Sequence, residues 1–327
     1  MTYELKLVSR KISFHKQNMI LAAISSKSGS VMENVGSNII HHVSNSDISH
    51  PIIKLPVILG VDFSVTKHVL MLWIVTVILC FSIIIPIRIF LSKNTMTPKG
   101  WVNAIELVVQ FIRDSIVRPN IGEKWTSFYT PVLLTFFFFI LFTNTIGMIP
   151  IFDTIGLVNR FVLGISASDS HNVINGMLHG GVTATGNFNV TGALAVITFF
   201  LIIIAGTKAH GFLNHWKNLV PSGLAWPVYI ILIPIEFIGM LVKPFALTMR
   251  LAANMTGGHI ALLALLSLMA IFGEMFQSAL AGIAVAFISV PMAVAVSGLE
   301  IIVILVQAYV FTLLSAVFVG MAINVHH

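Results

Sequence analysis

Residues 227–273 read PVYIILIPIEFIGMLVKPFALTMRLAANMTGGHIALLALLSLMAIFG. Only three of these side chains, Glu236, Lys243 and Arg250, carry a formal charge. A helix needs about 20 apolar residues to cross a bilayer, so this stretch is far longer than a soluble core helix requires. It predicts one long membrane helix. Residues 277–323 predict a second, with the turn near Glu274, whose carboxylate we place at the membrane interface.

The composition of the whole chain points the same way. Of its 327 residues, 57% are hydrophobic and 9% are charged, and the mean hydropathy is +0.97. Soluble domains carry about 25% charged residues, which excludes an ordinary water-soluble fold. We predict an all-α membrane protein of about five membrane helices plus one surface helix, with the last two helices long, tilted and packed as a hairpin. The predicted spans are 69–90, 127–152, 188–207, 226–273 and 277–323.

The remaining segments are predicted from polarity and periodicity. Residues 1–65 form a polar tail and residues 66–327 the membrane domain. Residues 101–118 repeat apolar side chains at helical spacing between charged ones, which predicts an amphipathic helix on the membrane surface. Residues 125–152 fit either one tilted span or a tight re-entrant hairpin. Residues 153–189 are rich in Gly, Ser, Thr and Asn and are predicted to be a loop.

Charge placement predicts the orientation and excludes several functions. Basic residues near 88–93 and 208–217 place those ends on the cytoplasmic or matrix side. The formal charge of +6 comes from scattered residues without an aromatic-interleaved basic patch, so we expect no nucleic-acid partner. Cys80 is the single cysteine, and we expect His41, His42 and His50 to lie in a solvated loop. No cofactor and no metal are predicted.

Charges inside the apolar segments are the candidate functional residues. Seven residues advance a helix by about 700°, so Glu236, Lys243 and Arg250 drift by only about 20° from one to the next. Asn254 lies about 40° from Arg250 and continues this polar stripe, whereas His259 lies on roughly the opposite side. Ionisable residues at membrane depth are costly and are functional by default.

The residue types in this pattern suit proton transfer. Glu300 and Gln307 are also seven apart and share one face of the last helix. A carboxylate, an imidazole and amides in wet pockets can relay protons, whereas a guanidinium stays charged and acts as a fixed cation. A packing role for His259 and a snorkelling role for Lys243 stay open as alternatives.

Three segments resemble the ATP synthase subunit a family over roughly residues 69–323. Residues 234–259, PIEFIGMLVKPFALTMRLAANMTGGH, are similar to its main signature, with Glu, then Lys-Pro, then Arg, then Asn four later. Residues 299–311, LEIIVILVQAYVF, resemble its second signature, and residues 142–150, FTNTIGMIP, its Asn-containing helix end. Gly147 stands where some members carry an acid.

The resemblance implies a mechanism and a set of partners. Arg250 would face a ring of c subunits, against which the last two helices pack, and Glu236 would line the outlet to the cytoplasm or matrix. The inlet from the periplasm or intermembrane space would be lined by Asn254, His259, Glu300 and Gln307, with Asn144 nearby. The expected partners are the c-ring, the b subunits of the peripheral stalk, the F1 sector and lipids, in a bacterial or mitochondrial inner membrane. The chain has no P-loop, so ATP chemistry would occur in partners.

Two other functions compete with this one. A proton- or cation-coupled secondary transporter would also place charges in the membrane, but it predicts repeated halves, and no internal repeat is evident. A structural membrane anchor would have no use for Arg250 and Glu300 on apolar helices.

Overall fold

The computed structural model describes residues 53–58, 61–93, 97–149, 183–217 and 226–324, with short pieces at 35–37, 39–40 and 43. Most of the predicted polar tail, including His41, His42 and His50, lies outside the described residues. So does most of the predicted loop at 153–189.

A short hairpin precedes the first membrane-length helix. Strands β1 (Val57–Ile58) and β2 (Val61–Asp62) pair antiparallel. Helix α1 (Lys67–Ser92) contains a π-helical turn at Cys80–Ile84. The later elements are α2 (Trp101–Phe111), a π-helical segment (Ile112–Val117), α3 (Arg118–Ile121), α4 (Glu123–Met148), a 3-10 turn (Ala184–Gly186), α5 (Phe188–His210), α6 (Phe212–Lys217), α7 (Trp226–Met275) and α8 (Ala279–Ile323).

Five helices in the described part, α1, α4, α5, α7 and α8, are long and apolar enough to span a membrane. The predicted all-α membrane fold, with two long final helices, is therefore confirmed. Helix α4 runs unbroken from Glu123 to Met148, so residues 125–148 form one helix and not a hairpin. Pro131 lies inside it without ending it. On the segment after α2, the apolar side chains of Ile112 and Ile116 are buried, as an amphipathic helix requires.

The chain divides into two compact units, whose boundaries fall inside α7 and α8. One contains residues 258–298, the end of the hairpin formed by these two helices. There a Cβ added to Gly282 would lie 3.0 Å from the carbonyl oxygen of Met269 and 3.4 Å from Cα of Gly273. The small residues therefore let the two backbones approach closely beside the turn. Gln277 in that turn has φ of +45°.

The larger unit contains residues 43–257 and 299–327 and holds the main apolar core. Leu133 and Ile140 of α4, Leu251 of α7 and Phe311 of α8 are all buried in it. The ring of Phe311 meets the ring of Phe136 edge to face, with centroids 5.6 Å apart, a favourable arrangement for aromatic pairs. Helices α4, α7 and α8 thus meet along one seam, and this seam positions the polar side chains described next.

Candidate functional site

The polar stripe of α7 lies at the edge of that helix's buried face. The buried side chains of α7 in the larger unit recur at helical spacing; they are Met240, Pro244, Leu247, Thr248, Leu251, Ala252 and Met255. Glu236 and Lys243 are half-buried, whereas Arg250 and Asn254 are exposed. By helical geometry the stripe is rotated about 90° from the centre of the buried face. Its polar groups can therefore reach a neighbour outside this chain.

Lys243 has a contact inside the larger unit. Its Nζ lies 5.9 Å from the centre of the Phe318 ring on α8, near the limit of about 6 Å for a cation–π contact. The edge of the stripe near Lys243 therefore faces α8. The Lys243 ammonium therefore has a favourable neighbour within the protein, and it does not have to snorkel to the membrane interface to find one.

Small residues border Arg250 on the outer face of α7. Gly239, Ala246, Ala253 and Gly257 flank it at helical spacing, and Ala246, Ala253 and Gly257 are exposed. A Cβ added to Gly239 or Gly257 would meet nothing within 4 Å among the described residues. Small side chains let a second helix approach closely, as at many helix contacts in membranes. The exposed guanidinium is thus bordered by a surface suited to helix packing.

The rest of the exposed surface of α7 in the larger unit is largely apolar. The large exposed side chains of α7 in the larger unit include Phe237, Leu241, Val242, Phe245 and Met249. Placing an arginine side chain among lipid tails at the centre of the bilayer costs about 2.5–3.5 kcal/mol on insertion scales. Arg250 is therefore placed for a protein or water environment, because the bare lipid-facing alternative is unfavourable.

Helix α8 directs the side chains of Glu300 and Gln307 inward. Glu300 is 4% exposed and Gln307 is 5% exposed, and Ile304 and Ala308 on the same side of the helix are also buried. Glu300 and Gln307 therefore face the interior, whereas Arg250 faces out.

Asn144 near the end of α4 is fully buried. Its Oδ1 accepts a hydrogen bond of 2.5 Å from the hydroxyl of Thr185, which is also fully buried. Its Nδ2 has no hydrogen-bond partner among the described residues. One turn further on, a Cβ added to Gly147 would overlap the side chain of Thr183. The acid that some family members carry at this position could not fit here unless Thr183 moved.

His259 belongs to the unit of residues 258–298, where it is half-buried. Its predicted place on the side of α7 opposite Arg250 stays a prediction. In the part of the chain that the structure describes, no three His, Cys, Asp or Glu side chains converge as metal ligands would.

Two buried polar residues at the start of α1 were missed by the sequence analysis. Lys67 is 2% exposed and His68 is 3% exposed, and Nδ2 of Asn187 lies 3.0 Å from Nδ1 of His68. The apolar run begins at Val69, so both look like solvated flanking residues in the sequence. Residues 184–186 and α4 both pack against α1, so segments distant in sequence contribute to this burial. The one available signal was a Lys-His pair directly before an uncharged stretch of membrane length.

At the other end of the larger unit, histidines lie beside the last turn of α5. Nε2 of His210 is 2.8 Å from the carbonyl oxygen of Ile323. The imidazole of His215 in α6 is 4% exposed and lies where a Cβ on Gly206 would be. Burial, and then the nearby charge of His210, lower the pKa of His215 below its ordinary value. The neutral form of the His215 imidazole is therefore favoured by its surroundings.

Comparisons with known proteins agree with the geometry. A family model described as ATP synthase A chain matches residues 69–320. The chain is 39% identical over 301 residues to ATP synthase subunit a 2 of Chlorobium luteolum, covering 89% of this chain and 76% of the relative. It is 38% identical over 297 residues to ATP synthase subunit a 2 of Prosthecochloris aestuarii, covering 89% and 80%. It is 41% identical over 298 residues to ATP synthase subunit a of Chlorobium phaeobacteroides, covering 89% and 76%.

Proposed function

This chain belongs to the ATP synthase A chain family, and we propose that it is the stator subunit that conducts protons in the membrane sector of a rotary ATP synthase. Two offset aqueous half-channels carry protons to and from the carboxylates of a ring of c subunits. The observation that carries the proposal is the division of polar groups: Arg250 faces out, while Glu300 and Gln307 face in.

Arg250 acts as a fixed cation opposite the ring. It keeps each passing carboxylate ionised, because an opposite charge within about 4–6 Å favours the charged form of a carboxyl group. It also repels protons that would otherwise pass directly from one half-channel to the other. The exposed small residues Ala246 and Ala253 leave room for a ring helix to pass close to the guanidinium.

The inlet half-channel uses the buried polar groups. Glu300 exchanges protons, Gln307 and the buried amide of Asn144 provide hydrogen bonds, and Asn254 lies beside Arg250 on the stripe. His259 is the second titratable group of this pathway, by its place in the family signature. Titratable side chains and hydrogen-bonding amides of this kind can together relay protons through the membrane-spanning part of the protein.

The outlet half-channel begins at Glu236. This carboxylate lies two turns before Lys243 on the same stripe and is half-buried. It is on the part of α7 nearest Trp226, where the preceding segment carries the basic residues Lys208 and Lys217. Positive residues mark the cytoplasmic or matrix side, the side to which protons are released during synthesis.

The partners follow from this role. The chain works with the c-ring, with b subunits of the peripheral stalk that hold it still, and with the F1 sector, where ATP is made. Each proton that crosses a membrane potential of 100 mV releases about 2.3 kcal/mol. The synthesis of one ATP therefore needs the free energy of several protons, which the ring accumulates over successive steps. The protein resides in an energy-transducing membrane. A transporter with its own substrate site would need no ring.

The test compares ATP-driven proton pumping by reconstituted Arg250→Ala and wild-type complexes. We expect the variant to lose pumping while the c-ring still co-purifies with the chain. Arg113→Ala is the matched control, since Arg113 is an exposed arginine paired with Asp114 at 2.9 Å, and it should pump normally. Arg250→Lys keeps a positive charge at this position, and co-purification of the c-ring with this variant measures whether the complex still assembles. Normal pumping by Arg250→Ala, or the absence of a c-ring from the purified wild type, would overturn the proposal.

A further inference from the structure

Two grooves on the surface of the larger unit have no part in the roles assigned above. The first lies between α6 and the start of α7 and has a volume of about 740 Å³. The second lies between α5 and α7 and has a volume of about 580 Å³. Volumes of about 300–1,000 Å³ are typical of sites that hold small molecules. Each groove is therefore large enough for part of a bound ligand.

The two grooves follow one another along a single face of α7. Ile233 and Phe237 of this helix line the first groove. Leu241 and Phe245 line the second. These residues are four apart, so each is rotated only about 40° from the one before, and the stretch from Ile233 to Phe245 is about 18 Å long. One leaflet contributes about half of a hydrocarbon core of about 30 Å, so the length of the stretch matches that of a lipid acyl chain.

The second groove is apolar and open to the surroundings of the protein. Of the described residues that line it, only Thr248 is polar, and its hydroxyl donates to the backbone carbonyls of Thr191 and Pro244 at 3.2 Å each. A Cβ added to Gly192, which also lines the groove, would meet nothing within 4 Å among the described residues. Phe245 is 60% exposed. This lining is suited to a hydrocarbon chain that enters from the lipid.

The first groove adds a cationic and aromatic group of side chains. Trp216, Lys217 and Tyr229 line it, and Lys217 is exposed. No carboxylate pairs with Lys217 among the described residues, and the sequence has no Asp or Glu from His210 to Ile235. Trp and Tyr rings favour the level of the lipid head groups. Basic pockets between membrane helices on the cytoplasmic or matrix side, where Lys217 is predicted to lie, suit acidic head groups.

We propose that the two grooves together bind one anionic phospholipid, with its phosphate at Lys217 and one acyl chain extended along α7 into the groove against α5. Leu241 is nine residues before Arg250, so the two lie on opposite sides of the helix. The lipid therefore occupies the back of α7, away from the surface that carries Arg250. There its chain fills the space between α5 and α7 and supports the helix from behind. This inference goes beyond the proposed function, because it concerns a lipid site and no step of proton transfer.

The test is photo-crosslinking of the purified complex that contains this chain, reconstituted in phosphatidylcholine vesicles. A small fraction of the lipid is phosphatidylglycerol with a diazirine on its acyl chain, and mass spectrometry of the peptides locates the label. We expect label in residues 188–199 and 241–248. Phosphatidylcholine that carries the same diazirine should label these residues several-fold less, because its head group has no net negative charge.

A lysine substitution tests the head-group site. Lys217→Gln should remove the preference for the anionic lipid and leave labelling by phosphatidylcholine unchanged. Lys124→Gln is the matched control, since Lys124 is also exposed beside a tryptophan, with its Nζ 5.5 Å from the centre of the Trp125 ring, and it lines neither groove. It should keep the wild-type preference.

Filling the second groove tests the position of the acyl chain. Gly192→Leu extends a side chain into open space, so it should reduce labelling of residues 241–248 several-fold without lowering Tm. Label on the exposed residues Trp73 and Phe81 of α1 is the internal reference and should not change.

Three results would overturn the proposal. They are equal labelling of the grooves by the two lipids, an unchanged preference in Lys217→Gln, and unchanged labelling in Gly192→Leu. The absence of label from residues 188–199 and 241–248 would also overturn it, and is the result expected if a helix of another subunit fills the grooves. None of these results depends on proton pumping by Arg250→Ala, so each would leave the stator function intact.

Discussion

Thr185 donates its hydroxyl hydrogen to Oδ1 of Asn144 across 41 residues of sequence, and both side chains are fully buried. The bond ties the end of α4 to the turn that precedes α5. A buried polar pair of this kind is stable only while both partners are present, because a buried acceptor without a donor keeps its full desolvation cost.

Replacing Thr185 tests this bond. Thr185→Val keeps the shape but removes the donor, so the free energy of unfolding should fall by about 1–3 kcal/mol. Thr185→Ser keeps the hydroxyl and should lose much less. Thermal unfolding of the detergent-solubilised complex measures the difference, and equal Tm values for the two variants would contradict the role of the bond.

Gly206 and Gly192 on α5 provide a matched pair. A Cβ at Gly206 would overlap the His215 imidazole, so Gly206→Ala should destabilise the protein by about 1–3 kcal/mol through overpacking. Among the described residues a Cβ at Gly192 meets nothing within 4 Å, and alanine is favoured over glycine inside a helix by roughly 0.5–1 kcal/mol. Gly192→Ala should therefore be neutral or stabilising. The same change of Tm in both variants would argue against this packing.

Glu300 should be essential for proton flux. Glu300→Gln keeps the size and the hydrogen-bonding atoms but cannot take up and release a proton. A positioned proton-transfer group contributes roughly 10²–10⁴-fold to rate, so pumping should fall by more than about tenfold. Glu274→Gln, at the exposed end of α7, is the control and should pump normally. Unchanged pumping by Glu300→Gln would exclude Glu300 from the pathway.

His215 should make stability depend on pH. Because burial lowers its pKa in the folded protein, the unfolded chain binds a proton first as the pH falls below about 6.5. Stability should therefore decrease from pH 6.5 toward the lower folded-state pKa and then level off, with no contribution above pH 7. His215→Gln should remove this step. The measurement is the Tm of wild type and variant between pH 5 and 8. If the Tm of His215→Gln falls in acid as steeply as that of wild type, His215 is not the cause of the pH dependence.

Much of the fold was predictable from local sequence. Hydropathy over about 20 residues marks a membrane helix wherever it lies, because every backbone polar group in lipid must be satisfied within the helix itself. The seven-residue spacing from Glu236 to Arg250 likewise defines a stripe on α7 without any knowledge of its neighbours. The family signature then assigned roles to residues on that stripe.

The site was predictable only in part. Helical spacing gives the angle between two residues on one helix, but it does not give the direction of either relative to other helices. Hence Glu300 and Arg250 both appear as intramembrane charges in the sequence, and only packing turns one inward and the other outward. His68 shows the same limit, since it precedes the apolar run and is buried beside Asn187, more than 100 residues away.

The sequence alone determined that this chain forms long apolar helices with a few ionisable groups at membrane depth, because hydropathy and helical period are local properties. Tertiary structure alone decided that Asn144 meets Thr185, that His68 meets Asn187, and that Arg250 stays on the outer face. The physical reason is that burial of a polar group depends on which distant segment covers it, and no local pattern records that choice.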